Sequence, residues 1–215
     1  MTTISAKPRL RGWLHTGALP VTLVAGFALV ALGPTLQARL ASAIYAITSG
    51  LLFGISATYH RGTLGPRLAE VLRRFDHANI YLIIAGTYTP FALLALDGAA
   101  RVAVLAVIWG GALSGVLFRV FWMSAPRWLY TLLYLALGWT AIFVMPQLLD
   151  GAGVVAVVLV AVGGAFYTAG AIVYGLRRPD PSPGWFGYHE VFHAFTVAAY
   201  VVQYIAVSIV VYSHV

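Results

Sequence analysis

Several apolar runs in this 215-residue chain are longer than the roughly 18 residues needed to cross a lipid bilayer. Only 9% of its residues are charged, against roughly 25% in soluble domains, so its helices lack the polar stripe that would face water. In lipid, every backbone polar group must be paired within the chain, and long uncharged runs achieve this as helices rather than as barrel strands. We therefore expect an all-α integral membrane protein.

Short polar segments divide the apolar sequence into seven predicted transmembrane helices. An odd number of crossings places the two termini on opposite sides of the membrane. Because no internal repeat or second domain is visible, we expect one integral membrane domain, 1–215, folded as a seven-helix bundle. The predicted spans are 13–32, 40–60, 76–96, 101–122, 127–146, 152–176 and 188–212.

The basic residues indicate the orientation. All of them except Arg39 and Arg101 lie before span one or at the borders of the loops after spans two, four and six. Cytoplasmic loops carry an excess of Lys and Arg, so we predict a cytoplasmic N-terminus and an extracytoplasmic C-terminus in the inner (plasma) membrane of the cell. We expect no nucleic-acid partner, because the basic residues form no stripe interleaved with aromatic residues.

Three histidines are predicted to meet at the cytoplasmic side. Span two ends at His60, and span seven begins with His189 and His193, which lie one turn apart on one helix face. The chain has no cysteine, so a transition metal would need His, Asp, Glu or water ligands. Three imidazoles match the protein ligands of an open zinc site, and zinc is the leading candidate. Copper, nickel and iron also accept imidazole.

Two further polar side chains occur at the same predicted depth. Asp76 opens span three, and Ser56 lies one turn from His60 on the same helix face. Ionisable groups inside spans are costly and usually functional. We expect Asp76 to orient a metal-bound water and accept its proton, and Ser56 to donate a hydrogen bond to Asp76, a ligand or a substrate carbonyl. The plainer alternatives are a helix N-terminal charge for Asp76 and a packing serine for Ser56.

The remaining histidines carry weaker signals. His15, His77 and His214 each lie close to an end of a predicted span. A single histidine in that position is most often an ordinary residue at the membrane interface, and we assign these three no functional role.

At the polar positions the sequence resembles the hemolysin III branch of the progestin and adipoQ receptor family, within a wider group of membrane hydrolases that includes alkaline ceramidases. The family's serine-x3-histidine motif corresponds to Ser56 and His60, its aspartate to Asp76, and its histidine-x3-histidine motif to His189 and His193. The resemblance spans nearly the whole chain. It implies seven helices with a cytoplasmic N-terminus, zinc bound by the three histidines, Asp76 at the zinc-bound water and Ser56 as an accessory residue.

Other interpretations of the same motifs are weaker. Residues 189–193 also match H-E-x-x-H, in which Glu190 would be the general base of a metalloprotease. The Leu-Asp-Gly segments that such proteases add, 96–98 and 149–151, fall in predicted extracytoplasmic loops, too far away to supply ligands. A retinal protein would need a lysine in span seven, and the only lysine is Lys7. A cytolytic pore would need a stripe of charges along the spans.

Two functional hypotheses follow. The leading one is zinc-dependent hydrolysis of a lipid amide or ester, reached from the inner leaflet, in which zinc polarises the carbonyl and lowers the pKa of its bound water toward about 7. The alternative is a non-enzymatic, zinc-containing sensor or regulator of membrane lipid state. A structural zinc site is closed by a fourth protein ligand, so direct coordination by Asp76 or His77 would favour the alternative.

Overall fold

All regular secondary structure in the described residues, 7–213 of a computed structural model, is helical except for one isolated bridge between Ser182 and Phe186. His214 lies outside this range. The prediction of an all-α chain is therefore confirmed. The helices are α1 Trp13–Ala31, α2 Leu36–Arg61, α3 Pro66–Ala95, α4 Gly98–Phe121, α5 Arg127–Gly138, a 3₁₀ turn Thr140–Val144, α6 Met145–Leu176 and α7 Tyr188–Ser213.

Six stretches of the described helical structure are long and apolar enough to cross a membrane, with Arg127–Leu176 counted as one of them. The chain is accordingly an integral membrane protein. Five of the stretches both begin and end within a few residues of predicted span ends, because a loop polar enough to leave the bilayer also interrupts the apolar run.

The start of α3 differs most from the prediction. The expected span begins at residue 76, whereas the helix begins at Pro66. Glu70 pairs with Arg73 at 2.7 Å and with Arg74 at 2.9 Å, at the i,i+3 and i,i+4 spacings of one helix face. Hydropathy marks where a helix enters an apolar environment, and it therefore missed a charged extension of the same helix.

The stretch from α5 to α6 also differs from the prediction of two spans joined by a loop. Residues 147–151 are helical, and the backbone leaves helical geometry within α6 only at Gly153, with φ 78° and ψ 162°. The Arg127 side chain donates to the Tyr174 carbonyl at 3.0 Å, and Trp139 Nε1 donates to Thr168 Oγ1 at 3.0 Å. Residues 127–139 thus lie alongside the last part of α6 and run antiparallel to it.

Contacts between neighbouring helix ends define one end of the bundle, which we call the histidine end. Gly12, before α1, lies against His60 near the end of α2. The Arg74 side chain, near the start of α3, donates to the Val120 carbonyl near the end of α4. Helices α1, α3, α5 and α7 therefore begin at the histidine end, and α2, α4 and α6 finish there.

The opposite end, which we call the far end, holds the Leu-Asp-Gly segments. Gln37 in the first turn of α2 donates to the Leu93 carbonyl at 2.7 Å, and Gly151 packs against the Ala95 carbonyl. Asp97 pairs with Arg101 at 2.7 Å. The predicted separation of these acidic residues from the histidines agrees with this arrangement.

Candidate metal centre

Three histidines from two helices meet at the histidine end. His60 lies in the last turn of α2, and His189 and His193 lie in the first two turns of α7. His60 Nε2 and His189 Nε2 are 3.2 Å apart, and one nitrogen from each of the three residues lies within 4.8 Å of the others. The structure therefore brings together the three histidines singled out in the sequence, in an arrangement that could bind a metal.

Asp76 lies beside this cluster. Its Oδ2 is 3.7 Å from His60 Nε2, and its side chain is 11% exposed. The carboxylate is sheltered on α3, which faces both α2 and α7. Asp76 is therefore close enough to act on a molecule bound at the histidines, in addition to any role as a helix charge.

Ser56 makes a contact that the sequence did not indicate. Its Oγ lies 2.8 Å from His15 Nδ1 on α1, and its hydroxyl is also close to the Asp76 carboxylate. Both Ser56 and His15 are buried, at 1% and 2% exposure. Ser56 thus joins the carboxylate to a fourth histidine.

His15 is the site residue that sequence reasoning missed. Its ring stacks on that of His193, with centroids 3.7 Å apart and planes 11° apart. We expected an interfacial histidine, but the side chain lies in the interior. His15 is the third residue of a helix that begins at the histidine end, so it lies at the depth of His60 and His193. This position near the start of the first span was the signal available in the sequence.

His77 does not join the cluster. A carbonyl can only accept, so His77 Nδ1 donates to the Arg73 carbonyl at 2.8 Å, which leaves Nε2 as the acceptor of the Tyr174 hydroxyl at 3.2 Å. With both ring nitrogens engaged elsewhere, His77 is not available as a metal ligand in this arrangement.

The segment before α1 packs against His60 and restricts its position. Gly12 adopts φ 81°, and a Cβ at this position would lie 2.6 Å from His60 Cβ, so this close approach requires glycine. Lys7 Nζ donates to the His60 carbonyl at the end of α2, where a positive charge also complements the helix dipole. Partial burial, together with the positive charges of Arg11 and Arg61, lowers the pKa of Lys7.

Glu190, the glutamate of the H-E-x-x-H pattern, is engaged away from the histidines. One carboxylate oxygen accepts from Arg11 Nε, and the other accepts from the Gly187 backbone N–H at 2.8 Å. The side chain is 1% exposed. These contacts are those of a helix-capping ion pair rather than of a free general base.

A long apolar cavity extends from the cluster toward the far end. Its cavity volume is about 160 Å³, counted as the space open to the centre of a water molecule. Its lining follows α3 from His77 to Leu96, which is about 28 Å at 1.5 Å per residue. The polar residues at its histidine end are His15, Ser56, Asp76, His77, His189 and His193.

The donor set fits zinc. Imidazole nitrogens at 2.0–2.1 Å from a tetrahedral zinc are about 3.3 Å from one another, and the 3.2 Å between His60 Nε2 and His189 Nε2 is close to this value. His193 Nδ1 is buried and has no hydrogen-bond partner among residues 7–213. A buried nitrogen with an unshared lone pair is costly unless a proton donor or a cation meets it.

Comparison with known proteins identifies one family and relatives whose names agree with it. The family model described as "Haemolysin-III related" matches residues 4–204. The "Hemolysin-3 homolog" of Bacillus subtilis (strain 168) is 34% identical over 152 residues, 69% of this chain and 67% of the relative. "Hemolysin-3" of Bacillus cereus is 34% identical over 140 residues, 65% of this chain and 64% of the relative. The match thus spans about two thirds of each relative. On this evidence, the chain belongs to the haemolysin-III related family.

Proposed function

We propose that this protein is an intramembrane zinc-dependent hydrolase that cleaves a lipid amide or ester. The observation that carries the proposal is a cluster of three histidines, two of which, His189 and His193, line one end of a long apolar cavity together with Asp76. The cavity is nearly as long as the roughly 30 Å hydrocarbon core of a bilayer. An acyl chain lying in it would present its carbonyl to the polar end.

The protein groups at the polar end have separable roles in this reaction. Zinc held by His60, His189 and His193 supplies Lewis acidity that polarises a carbonyl and makes water nucleophilic near neutral pH. Asp76 accepts the proton of the attacking water and returns it to the leaving amine or alcohol. Ser56 orients the Asp76 carboxylate through its hydroxyl, and the apolar lining excludes competing water.

We further propose seven membrane crossings, with the histidine end facing the cytoplasm. The antiparallel packing of residues 127–139 on the end of α6, and the break at Gly153, support two crossings within Arg127–Leu176. Most basic residues border loops at the histidine end, which supports a cytoplasmic location under the positive-inside rule. The substrate would then enter from the inner leaflet of the cell membrane.

A non-enzymatic sensor or regulator of membrane lipids is the second candidate. The 3.7 Å between Asp76 Oδ2 and His60 Nε2 favours it, because a small movement would make Asp76 a fourth ligand and close the site. The engagement of Glu190 by Arg11 and Gly187 weighs against the protease. The printed name of the Bacillus relatives suggests lysis, but the apolar cavity lining is unlike that of a wide aqueous channel.

The direct test uses purified protein incubated with total membrane lipids, with and without a zinc chelator, followed by mass spectrometry of the lipids. We expect a cleaved lipid that disappears with the chelator. An Asp76→Asn variant should retain its zinc and lose turnover by about 100- to 10,000-fold, the usual contribution of a general base. Asp150→Asn, at an exposed position in α6, is the matched control and should retain full turnover.

Three outcomes test zinc dependence, the role of Asp76 and the choice between hydrolase and sensor, in that order. A product that persists in chelator contradicts zinc dependence. Full turnover in zinc-loaded Asp76→Asn removes the catalytic role of Asp76. Bound zinc with no lipid product favours the sensor.

A further inference from the structure

His15 on α1 contacts two parts of the candidate site, His193 on α7 and Ser56 on α2. It lies near the start of α1 and is 2% exposed, although α1 is otherwise among the least buried helices of the described structure. The Phe53 ring contacts the His15 ring edge-on at a centroid distance of 5.0 Å. Burying a polar side chain in an apolar helix costs free energy unless favourable contacts compensate for it.

The first contact is the flat stack on His193. A centroid distance of 3.7 Å and an angle of 11° place the two rings in full face-to-face contact. The Nδ1 atom of His193 has no hydrogen-bond partner among residues 7–213. A metal-ligating histidine is usually oriented by a hydrogen bond from the nitrogen that does not bind the metal. Whichever nitrogen of His193 faces the cluster, the stacked ring of His15 contacts the imidazole face and fixes its plane.

The second contact sets the direction of the Ser56 hydroxyl. An ionised Asp76 can only accept hydrogen bonds, so Ser56 must donate to it. The Ser56 oxygen then accepts from His15 Nδ1–H, across the observed 2.8 Å. In this arrangement a chain of hydrogen bonds runs from His15 as donor through Ser56 to Asp76 as acceptor, and His15 determines where the serine proton points.

We propose that His15 is a positioning residue with two separable effects: its ring holds His193 in the orientation that binds the metal, and its Nδ1–H directs Ser56 toward Asp76. The proposal rests on the proposed function, because it assigns roles within the same site. It also predicts metal binding that can be measured without any lipid substrate.

Three variants separate the two effects. His15→Phe keeps a ring against His193 and removes the hydrogen bond to Ser56, whereas His15→Asn keeps a donor near the Nδ1 position and removes the ring. His15→Ala removes both. The measurements are zinc affinity by competition with a chelator, the visible spectrum of the cobalt-substituted protein, and kcat and KM for the lipid found above.

We expect His15→Ala and His15→Asn to weaken zinc binding by about 10- to 100-fold, as loss of an orienting partner does, and to alter the cobalt spectrum. His15→Phe should bind zinc and cobalt as the unmodified protein does, with a lower kcat and an unchanged KM. Thr22→Val is the matched control, because Thr22 is also buried on α1 and does not border the cavity.

Unchanged zinc affinity and cobalt spectra in His15→Ala and His15→Asn would overturn the proposal. An equal loss in Thr22→Val would also overturn it, since the effect would then come from general packing of α1. Failure of the unmodified protein to bind either metal would refute both this proposal and the proposed function. The expected metal results without any lipid cleavage would uphold the role of His15 toward His193 and refute only the hydrolase.

Discussion

Helices that carry the polar site and helices that form the outer wall of the cavity are packed differently. In the most apolar 18-residue stretch of each, 67% of α3, 50% of α2 and 44% of α7 is buried, against 28% of α4 and of Arg127–Leu176. The exception is α1, which contributes His15 to the site and is 22% buried. Burial shelters Asp76 and the histidines from lipid, where unpaired polar groups are costly. The wall needs only apolar side chains facing outward, and many of them are exposed, including Val102, Val107, Leu113, Val154, Val155 and Val158.

The comparison shows where this sequence is tightly constrained. Close helix approach at the site side depends on small residues, as is common in membrane bundles. A Cβ on Gly86 of α3 would lie 1.9 Å from Thr48 Oγ1 on α2, whereas a Cβ on Gly110 of α4 would meet nothing within 4 Å. Wall glycines that face another helix are also constrained, as Gly115 is against Tyr81. Substitutions should therefore have strong effects where a helix packs closely on its neighbour and weak effects where it faces outward.

The largest effect is expected from removing a histidine of the cluster. His193→Ala should reduce bound zinc from about one ion per chain to near zero, because two imidazoles rarely hold zinc alone. Zinc content of the purified protein, measured by mass spectrometry of the elements, checks this. His77→Ala is the control, because both of its ring nitrogens are hydrogen-bonded to Arg73 and Tyr174, and it should keep its zinc. Full zinc content in His193→Ala would contradict the metal centre.

A smaller effect on zinc affinity is expected from the segment before α1, which packs against His60. Gly12→Ala adds strain at φ 81° and pushes a Cβ against His60, so zinc affinity should fall by about tenfold, as when an orienting contact is lost. Gly17→Ala, on the open side of α1, should leave the affinity unchanged. Equal affinities in the two variants would show that His60 does not depend on the segment before α1.

The smallest effects concern packing alone. Gly86→Ala should lower the free energy of unfolding by about 1–3 kcal/mol, since Thr48 is held by hydrogen bonds to the Ile44 and Tyr45 carbonyls. Gly110→Ala should be neutral or stabilise by up to about 1 kcal/mol, through helix propensity. Thermal unfolding midpoints in detergent measure both. Similar midpoints for the two variants would remove the distinction between the tight side and the wall.

Much of the site could be predicted because depth in the membrane follows from position along an apolar run. His60, Asp76, His189 and His193 each stand at the end of a run, and the structure brings all four together. Glu190 shows the limit of this reasoning. Its bond from the Gly187 N–H has the spacing of a helix capping box, in which the third helical residue reaches back to the residue before the helix. Its other partner, Arg11, is 179 residues away, and no spacing rule connects the two.

The sequence by itself determined the all-helical membrane fold and the depth of the histidine cluster, because hydropathy and the rise of a helix act along one dimension. The tertiary structure decided the rest. It placed His15 on His193, engaged both nitrogens of His77 with Arg73 and Tyr174, and continued the helix through residues 147–151 as far as the break at Gly153. These features depend on how each helix is rotated about its axis and on which neighbour it meets, and packing between distant segments sets both.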